Sequence, residues 1–302
     1  MPTFLPRFTI EQPSTLAEAS QMLASYGEDA RAYAGGTELL LAMKHAGLRY
    51  ERLVDIKTIR GLESVEERDS SVRIGALATH LSIERSPLVR NRLPALAELE
   101  ANVANPRVRA TGTLGGNLCF AEPHSDPATL LLCLEARLEI AGPDGERELG
   151  IEEFLVGPYE VALGVGELLK AITVPLPGPG QRAVYRKFQV HERPMLGLAL
   201  VLDLDEPDRH IRSARVAVGS ASPTPRRGAA AEKLLGGALA QVERRLDEAA
   251  DSLADDAELL DDIEASAEYK RHLIHVMLRQ TFELATADGA PSLPHLGEGA
   301  GG

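Results

Sequence analysis

The 302-residue chain carries a net charge of −13, with 44% hydrophobic and 25% charged residues. Those proportions are ordinary for a globular protein with a sizeable core, and the length suits two or three domains or subdomains. An acidic balance excludes a general nucleic-acid binder, which needs a basic surface, while leaving room for a local basic patch around a phosphate. No apolar run approaches the length of a membrane span, and residues 1–8, broken by prolines, do not read as a secretory signal. The cysteines are Cys119 and Cys133 alone, so free thiols in a reducing, cytoplasmic compartment are the expectation.

Residues 1–57 read as β-α-β-α-β. Thr15-Leu16-Ala17-Glu18 is a capping-box pattern, and Leu16, Ala19, Met22 and Leu23 recur at helical spacing. Residues 30–33 are strand-like and lead into Ala34-Gly35-Gly36-Thr37-Glu38-Leu39-Leu40-Leu41. Paired glycines let the backbone bend sharply and let a ligand approach with no Cβ in the way. Consecutive N–H groups entering a helix make a concave, partly positive surface that suits a phosphate. Thr37 is the expected N-cap of a helix running to His45, with Gly47 as its stop. Residues 53–56 form a further short strand.

Residues 58–176 read as a second αβ portion. A strand is expected at 72–76 and a helix over 93–99. A second loop of the same chemistry follows, Thr111-Gly112-Thr113-Leu114-Gly115-Gly116-Asn117. Asp126-Pro127 looks like an N-cap with proline at the first helical position, opening a helix through 135. Residues 138–141 alternate like a strand and end in a Pro143-Asp144-Gly145 turn; 167–174 closes the portion. Pro175-Leu176-Pro177-Gly178-Pro179-Gly180 is the clearest linker. Strand-like runs at 183–189, 198–204 and 212–218, then helices at 228–235, 238–250 and 265–287, predict an α+β domain over 177–288. A flexible Gly/Pro-rich tail follows at 289–302. The acidic run 255–262 reads as a solvated loop or helix face, and His191-Glu192-Arg193 beside Pro194 as an exposed turn.

Several motifs are missing. HExxH, GxSxG and CxxC do not occur, nor do GxGxxG and GxxxxGK-[ST]. A zinc protease, a serine hydrolase, a thiol redox centre, a Rossmann crevice and a triphosphate loop therefore have no support. Each glycine loop taken alone is equally an ordinary turn. Taken together, the two suit the two ends of one pyrophosphate.

Ala34 to Leu39, and Thr113 to Asn117 followed at Asp126 by an aspartate, match the patterns AGGT-[DE]-L and T-[IL]-GGN with a downstream Asp. On these motifs, and on residues 75–80, 222–227 and 265–271, the chain resembles the flavin-binding medium subunit of molybdenum-containing hydroxylases over nearly its whole length. That group includes xanthine dehydrogenase and aerobic carbon monoxide dehydrogenase. The resemblance implies an α+β chain. Its FAD-binding fold would be of the two-subdomain PCMH (vanillyl-alcohol-oxidase-like) type, followed by an α+β C-terminal domain with a three-stranded antiparallel sheet and helices. It implies FAD on this chain, molybdopterin on a large partner, two [2Fe–2S] clusters on a small partner, a dimer of heterotrimers, and an external electron acceptor.

By the same resemblance, Ala34, Gly35, Gly36, Thr37, Glu38 and Leu39 form the first pyrophosphate loop. Glu38 would contribute its backbone alone, since an inward carboxylate would repel the phosphates. Thr113, Leu114, Gly115, Gly116 and Asn117 form the second, where the Thr113 hydroxyl and the Asn117 amide can add hydrogen bonds. Asp126 matches a carboxylate that hydrogen-bonds the cofactor, a role compatible with capping. Lys187 matches a position whose ammonium approaches the isoalloxazine, where a cation stabilises the anionic reduced form. Val103 and Leu169 match apolar contacts and suit the core equally. No catalytic residue or metal ligand is expected, so the chain alone hydroxylates nothing. Two cysteines cannot ligate an Fe–S cluster that needs four thiolates. A stand-alone FAD-dependent oxidase or reductase of the same flavin fold, and a non-catalytic flavin-carrying scaffold, stay open as alternatives, as do the substrate of the complex and its acceptor.

Overall fold

A computed structural model describes residues 4–45, 47–191, 193–205 and 209–287. Glu192 and the tail expected at 289–302 lie outside the described residues. The chain forms two compact units. The first is built from the residues up to 86, with 100–122 and 136–174; the second from 87–99, 123–135 and the residues from 175 onward.

In the first unit, strands Thr9–Glu11, Arg52–Asp55 and Ala30–Tyr33 lie side by side in that order, all parallel. Parallel neighbours need crossover connections, here helices Leu16–Tyr26 and Leu39–His45. Thr15 Oγ1 caps the first of these, accepting from the Glu18 N–H at 3.1 Å. The Glu18 carboxylate reaches back to the N–H and hydroxyl of Ser14, which hold its carboxyl below the usual range. Ala19 meets Ala30, Val54, Ile56, Ile59, Leu62, Leu77 and Leu168 in one core, with Leu16, Met22 and Leu23 packed at its edge. The helical spacing read from the sequence is thus the spacing of the buried stripe. The first glycine loop leaves strand Ala30–Tyr33 and enters helix Leu39–His45.

This unit also holds a five-stranded sheet, in the order Val65–Arg68, Ser71–Gly75, Leu168–Pro175, Arg137–Gly142, Gly145–Gly150, and a small two-stranded one of Leu155–Gly157 and Glu160–Val161. The two outer strands of the larger sheet were not legible in the sequence. Gly145–Gly150 is exposed along most of its length and Val65–Arg68 likewise, so neither carries the apolar alternation that marks a half-buried strand. The Pro143-Asp144-Gly145 turn is the tip of a hairpin pairing Arg137–Gly142 with Gly145–Gly150.

The second unit centres on an antiparallel sheet of Gln181–Phe188, Leu196–Asp205 and His210–Gly219, extended by the short strand Arg226–Arg227. Leu196–Asp205 is covered on both faces, which is why it reads as a nearly continuous apolar run. Leu196, Leu198, Leu200, Leu202 and Leu204 share a core with residues of helices Leu246–Asp256 and Ala267–Thr286. The opposite face is lined by small residues. Gly197 and Gly219 are directly paired across the ladder, and helix Asp126–Cys133 lies against them. A Cβ on Gly219 would overlap Thr129 Oγ1, and one on Gly197 would overlap the Tyr185 hydroxyl. Gly219→Ala should therefore cost about 1–3 kcal/mol by overpacking, read as a lowered denaturation midpoint with an unchanged m-value. An unchanged midpoint would show that the helix has room to move.

Two sequence readings need correction in this unit. Asp126 opens helix Asp126–Cys133 ahead of Pro127, but Ser125 occupies the N-cap position and no side chain caps the helix. The Asp126 carboxylate is drawn away by partners on a distant strand, described below. The acidic run 255–262 is not simply solvated. Asp262 forms an ion pair with Lys270, a lysine buried in helix Ala267–Thr286, and accepts the N–H groups of Glu264 and Ala265. Asp261 accepts the Ala267 N–H at 2.6 Å. His191 and Arg193 are exposed.

Candidate functional site: two adjoining glycine loops and a buried carboxylate

Both glycine loops belong to the first unit, and they touch. A Cβ on Gly35 would overlap the Thr111 carbonyl oxygen and stand 2.8 Å from its carbon and 2.9 Å from Gly112 Cα. A Cβ on Gly112 would in turn stand 3.3 Å from Thr37 Oγ1. At Gly35 these distances leave no space for a side chain, and at Gly112 a Cβ would also stand 2.9 Å from Val108 O, so both glycines answer to close backbone approach. Gly36 has φ +71°, the left-handed region, and a Cβ there would overlap the Tyr33 ring. Lys57 braces the loop, with its Nζ 3.0 Å from the Ala34 carbonyl oxygen and 3.5 Å from the centre of the Tyr33 ring.

The second loop is fixed from behind by Ala76–His80. The N–H of Gly115 donates to Ala76 O, that of Leu114 to Ala78 O and that of His80 to Gly112 O. Thr79 and Thr113 pair as an isolated antiparallel bridge. A Cβ on Gly115 would lie 2.6 Å from Ala76 O, so this glycine too is set by backbone contact. Thr113 Oγ1 caps helix Leu114–Phe120 by accepting the Gly116 N–H at 3.0 Å, which leaves its hydroxyl hydrogen able to donate. Leu114 is fully buried, so its side chain is core; Gly116 and Asn117 remain partly accessible. Val103 and Leu169 are buried in the same unit.

What this arrangement can bind follows from its donors. Residues 34–40 are all partly accessible. Among the described residues, the N–H groups of Gly35, Gly36 and Thr37 have no protein acceptor. Accessible amides of this kind bond water and are available to a ligand's oxygens. Three consecutive accessible amides with no protein acceptor, packed against a second glycine loop with no Cβ in the way, suit an oxyanion-rich group such as a diphosphate.

The second unit holds a separate polar cluster. Asp126 is buried, and its two oxygens accept from Tyr185 Oη at 2.5 Å and from Lys187 Nζ at 2.7 Å. Tyr185 and Lys187 are two apart on strand Gln181–Phe188 and so point to one face. Burial first, and the Asp126 carboxylate second, hold the Tyr185 phenol well above its ordinary value, keeping it a donor. The sequence reading named Asp126 and Lys187 and missed Tyr185; the i, i+2 spacing on a predicted strand was the available signal. Burial pushes the Cys119 thiol up to about 12, against a smaller pull from Arg31, so it offers no thiolate near neutrality. Among the described residues, no cluster of His, Cys, Asp and Glu is arranged to hold a metal, and no helix is long and apolar enough to cross a membrane.

Comparison with known proteins gives the class. Residues 6–177 match the FAD binding domain in molybdopterin dehydrogenase, and residues 182–285 match the CO dehydrogenase flavoprotein C-terminal domain. The carbon monoxide dehydrogenase medium chain of Hydrogenophaga pseudoflava is 31% identical over 283 residues, spanning 93% of this chain and 98% of that one. The nicotine 6-hydroxylase medium subunit of Paenarthrobacter nicotinovorans is 31% identical, spanning 94% and 99%. The structure of reconstituted CO dehydrogenase from Oligotropha carboxidovorans superimposes with a TM-score of 0.89 at 31% identity, over 94% of this chain and 99% of that one. Fold and sequence together define an α+β flavoprotein in which an FAD-binding domain precedes a CO-dehydrogenase-type C-terminal domain. The chain belongs to the FAD-binding medium subunits of the molybdenum hydroxylases, the carbon monoxide dehydrogenase and xanthine dehydrogenase family. It is an oxidoreductase subunit whose own cofactor is FAD.

Proposed function

We propose that this chain is the electron-transfer subunit of its complex, receiving electrons from [2Fe–2S] clusters on a small partner and delivering them to an external acceptor. When bound, FAD supplies the conversion between one-electron and two-electron chemistry; the chain supplies position and electrostatics. The observation that carries the reading is the pair of touching glycine loops with three accessible amides on the first that have no protein acceptor. Gly35, Gly36 and Thr37 bind the cofactor's diphosphate through N–H groups, flanked by Ala34, Leu39 and the backbone of Glu38. On the second loop the N–H groups of Gly115, Gly116 and Asn117 are already bonded within the chain, so Gly115 and Gly116 serve by keeping the surface bare while the Asn117 side-chain amide and the Thr113 hydroxyl donate, with Leu114 anchoring the loop in the core. Val103 and Leu169 act as apolar walls. Asp126 and Lys187 are proposed as further cofactor ligands on the strength of their motif positions, with Tyr185 holding the Asp126 carboxylate in place.

The division at 57, 176 and 288 belongs to the same reading, supported by the composition of the 175–180 linker. So does assembly with a large molybdopterin subunit and a small cluster-bearing subunit as a dimer of heterotrimers. Two free thiols accord with a reducing, cytoplasmic compartment.

A bleaching experiment tests the proposal. The purified full chain should carry FAD and stay oxidised when mixed with carbon monoxide, aldehydes, purines and N-heterocycles. One of these should bleach it once the two partner subunits are added. Bleaching of the chain alone would make it a self-sufficient oxidase or reductase, and no bleaching in the assembled complex would leave it a scaffold.

A further inference from the structure

His80 and Glu100 form a buried pair directly behind the loops; His80 ends the 75–80 segment, and neither residue belongs to a glycine loop. His80 Nδ1 lies 2.5 Å from Glu100 Oε2. Glu100 is fully buried, and its Oε1 has no hydrogen-bond partner among the described residues. A carboxyl group placed this way costs stability, because half of its acceptor capacity is desolvated without return. An apolar pair of equal volume would fill the space without that cost. The pair therefore calls for a role beyond packing.

Its position indicates the role. The His80 N–H donates to Gly112 O at 3.1 Å, and the preceding Thr79 bridges Thr113. On the ring, Nδ1 is taken by Glu100. The Cδ2 edge and the Thr37 hydroxyl converge on one point beside Gly112, at 3.2 and 3.3 Å from where a Cβ would stand. The ring thus stands against Gly112 on the side that the Thr37 hydroxyl of the first loop also approaches, with Glu100 bonded to its Nδ1. Adjacent phosphates have a set separation, and a site that grips both must hold its donors to within about 0.5 Å.

We infer that the His80–Glu100 pair is a spacer that sets the separation of the two glycine loops, making His80 a positioning residue for the FAD diphosphate, with Glu100 acting through it. The inference rests on the loop assignment made above. His80 acts through where it holds Gly112 and Thr37, not as a phosphate ligand itself.

The test uses the full chain stripped of flavin and titrated with FAD, followed by phosphorus-31 NMR of the bound cofactor. His80→Asn keeps an N–H for Glu100 while withdrawing the ring edge from Gly112 and Thr37. Glu100→Gln keeps the volume and changes what fixes the ring, and it serves if the first variant does not fold. Both should weaken FAD binding at least tenfold and displace the diphosphate resonances toward those of free FAD. Affinity within twofold of wild type, or a lowered melting temperature with unmoved phosphorus resonances, would reduce the pair to core packing and overturn the inference. Gly35→Ala, run alongside, separates the two levels. If it loses FAD while the pair variants do not, only the spacer falls; if it binds FAD normally, the loop assignment fails beneath it.

Discussion

Gly35→Ala should yield a folded chain that no longer retains FAD. The added methyl group meets the carbonyl of Thr111 and the Cα of Gly112, backbone atoms at the end of helix Pro106–Thr111 that are held by the Gly112 N–H on Val108 O and the His80 N–H on Gly112 O. No side chain can swing away to make room, so the loops must part. Hydrogen bonds from amides to a charged phosphate contribute about 1.5–3 kcal/mol each. Losing two of them weakens binding roughly a hundredfold or more. The measurement is flavin content after purification, with a fluorescence titration of the apo chain. Gly178→Ala is the matched control: its φ is not in the left-handed region, and the nearest atom to a Cβ there is Gln181 Cδ at 4.0 Å. Full flavin occupancy in Gly35→Ala would show that the close approach of the loops has nothing to do with the cofactor.

Asp262→Ala should be the most destabilising surface-loop substitution in the second unit. Lys270 is fully buried in helix Ala267–Thr286; its ammonium donates to Leu260 O at 2.8 Å and to the Asp262 carboxylate. Removing the carboxylate leaves a buried charge without its counter-ion, a loss of about 3–5 kcal/mol. A fall in Tm of about 10 °C follows for a unit of this size. Lys270→Met removes the charge itself and should cost well under half as much. Burial acts to raise the Asp262 pKa, but the Lys270 ammonium and the N–H groups of Ala265 and Glu264 outweigh it and hold the carboxyl below its usual value. A carboxyl depressed in the folded state contributes its full stability above the unfolded value near pH 4 and loses it as pH falls through the lower folded value. Thermal melts across that acid window should therefore converge for wild type and Asp262→Ala. Equal Tm values at pH 7 would refute the structural role of the pair.

The parts of the fold that could be read in advance are those where local chemistry and tertiary structure agree. Thr15, Ala19 and Leu23 cap and stripe their helix as the spacing implies. The glycine loops were legible because close backbone approach admits few other residues. Asp126 was misread as a cap for the opposite reason. Asp-Pro is a local signal for a helix start, while the groups that draw its carboxylate away, Tyr185 and Lys187, come from a strand about 60 residues later in the chain. Lys270 escaped notice because charged residues are assumed to face water. Yet Lys270, Leu273, Ile274, Met277, Leu278, Thr281 and Phe282 lie on one helical stripe, all buried, and that spacing was available. The 75–80 segment was among those read from the sequence, but the pairing of His80 with Glu100 had no signal, since nothing in the sequence brings a histidine at a helix start to a glutamate twenty residues on.

A crystal or cryo-EM map of the FAD-loaded chain bears most directly on the central claim, that two bare stretches of main chain close on one diphosphate. The account predicts phosphate oxygens within about 3.2 Å of the amide nitrogens of Gly35, Gly36 and Thr37, with the second loop's donors on the same diphosphate. A cofactor whose diphosphate lies elsewhere, with those three amides facing solvent, would contradict it.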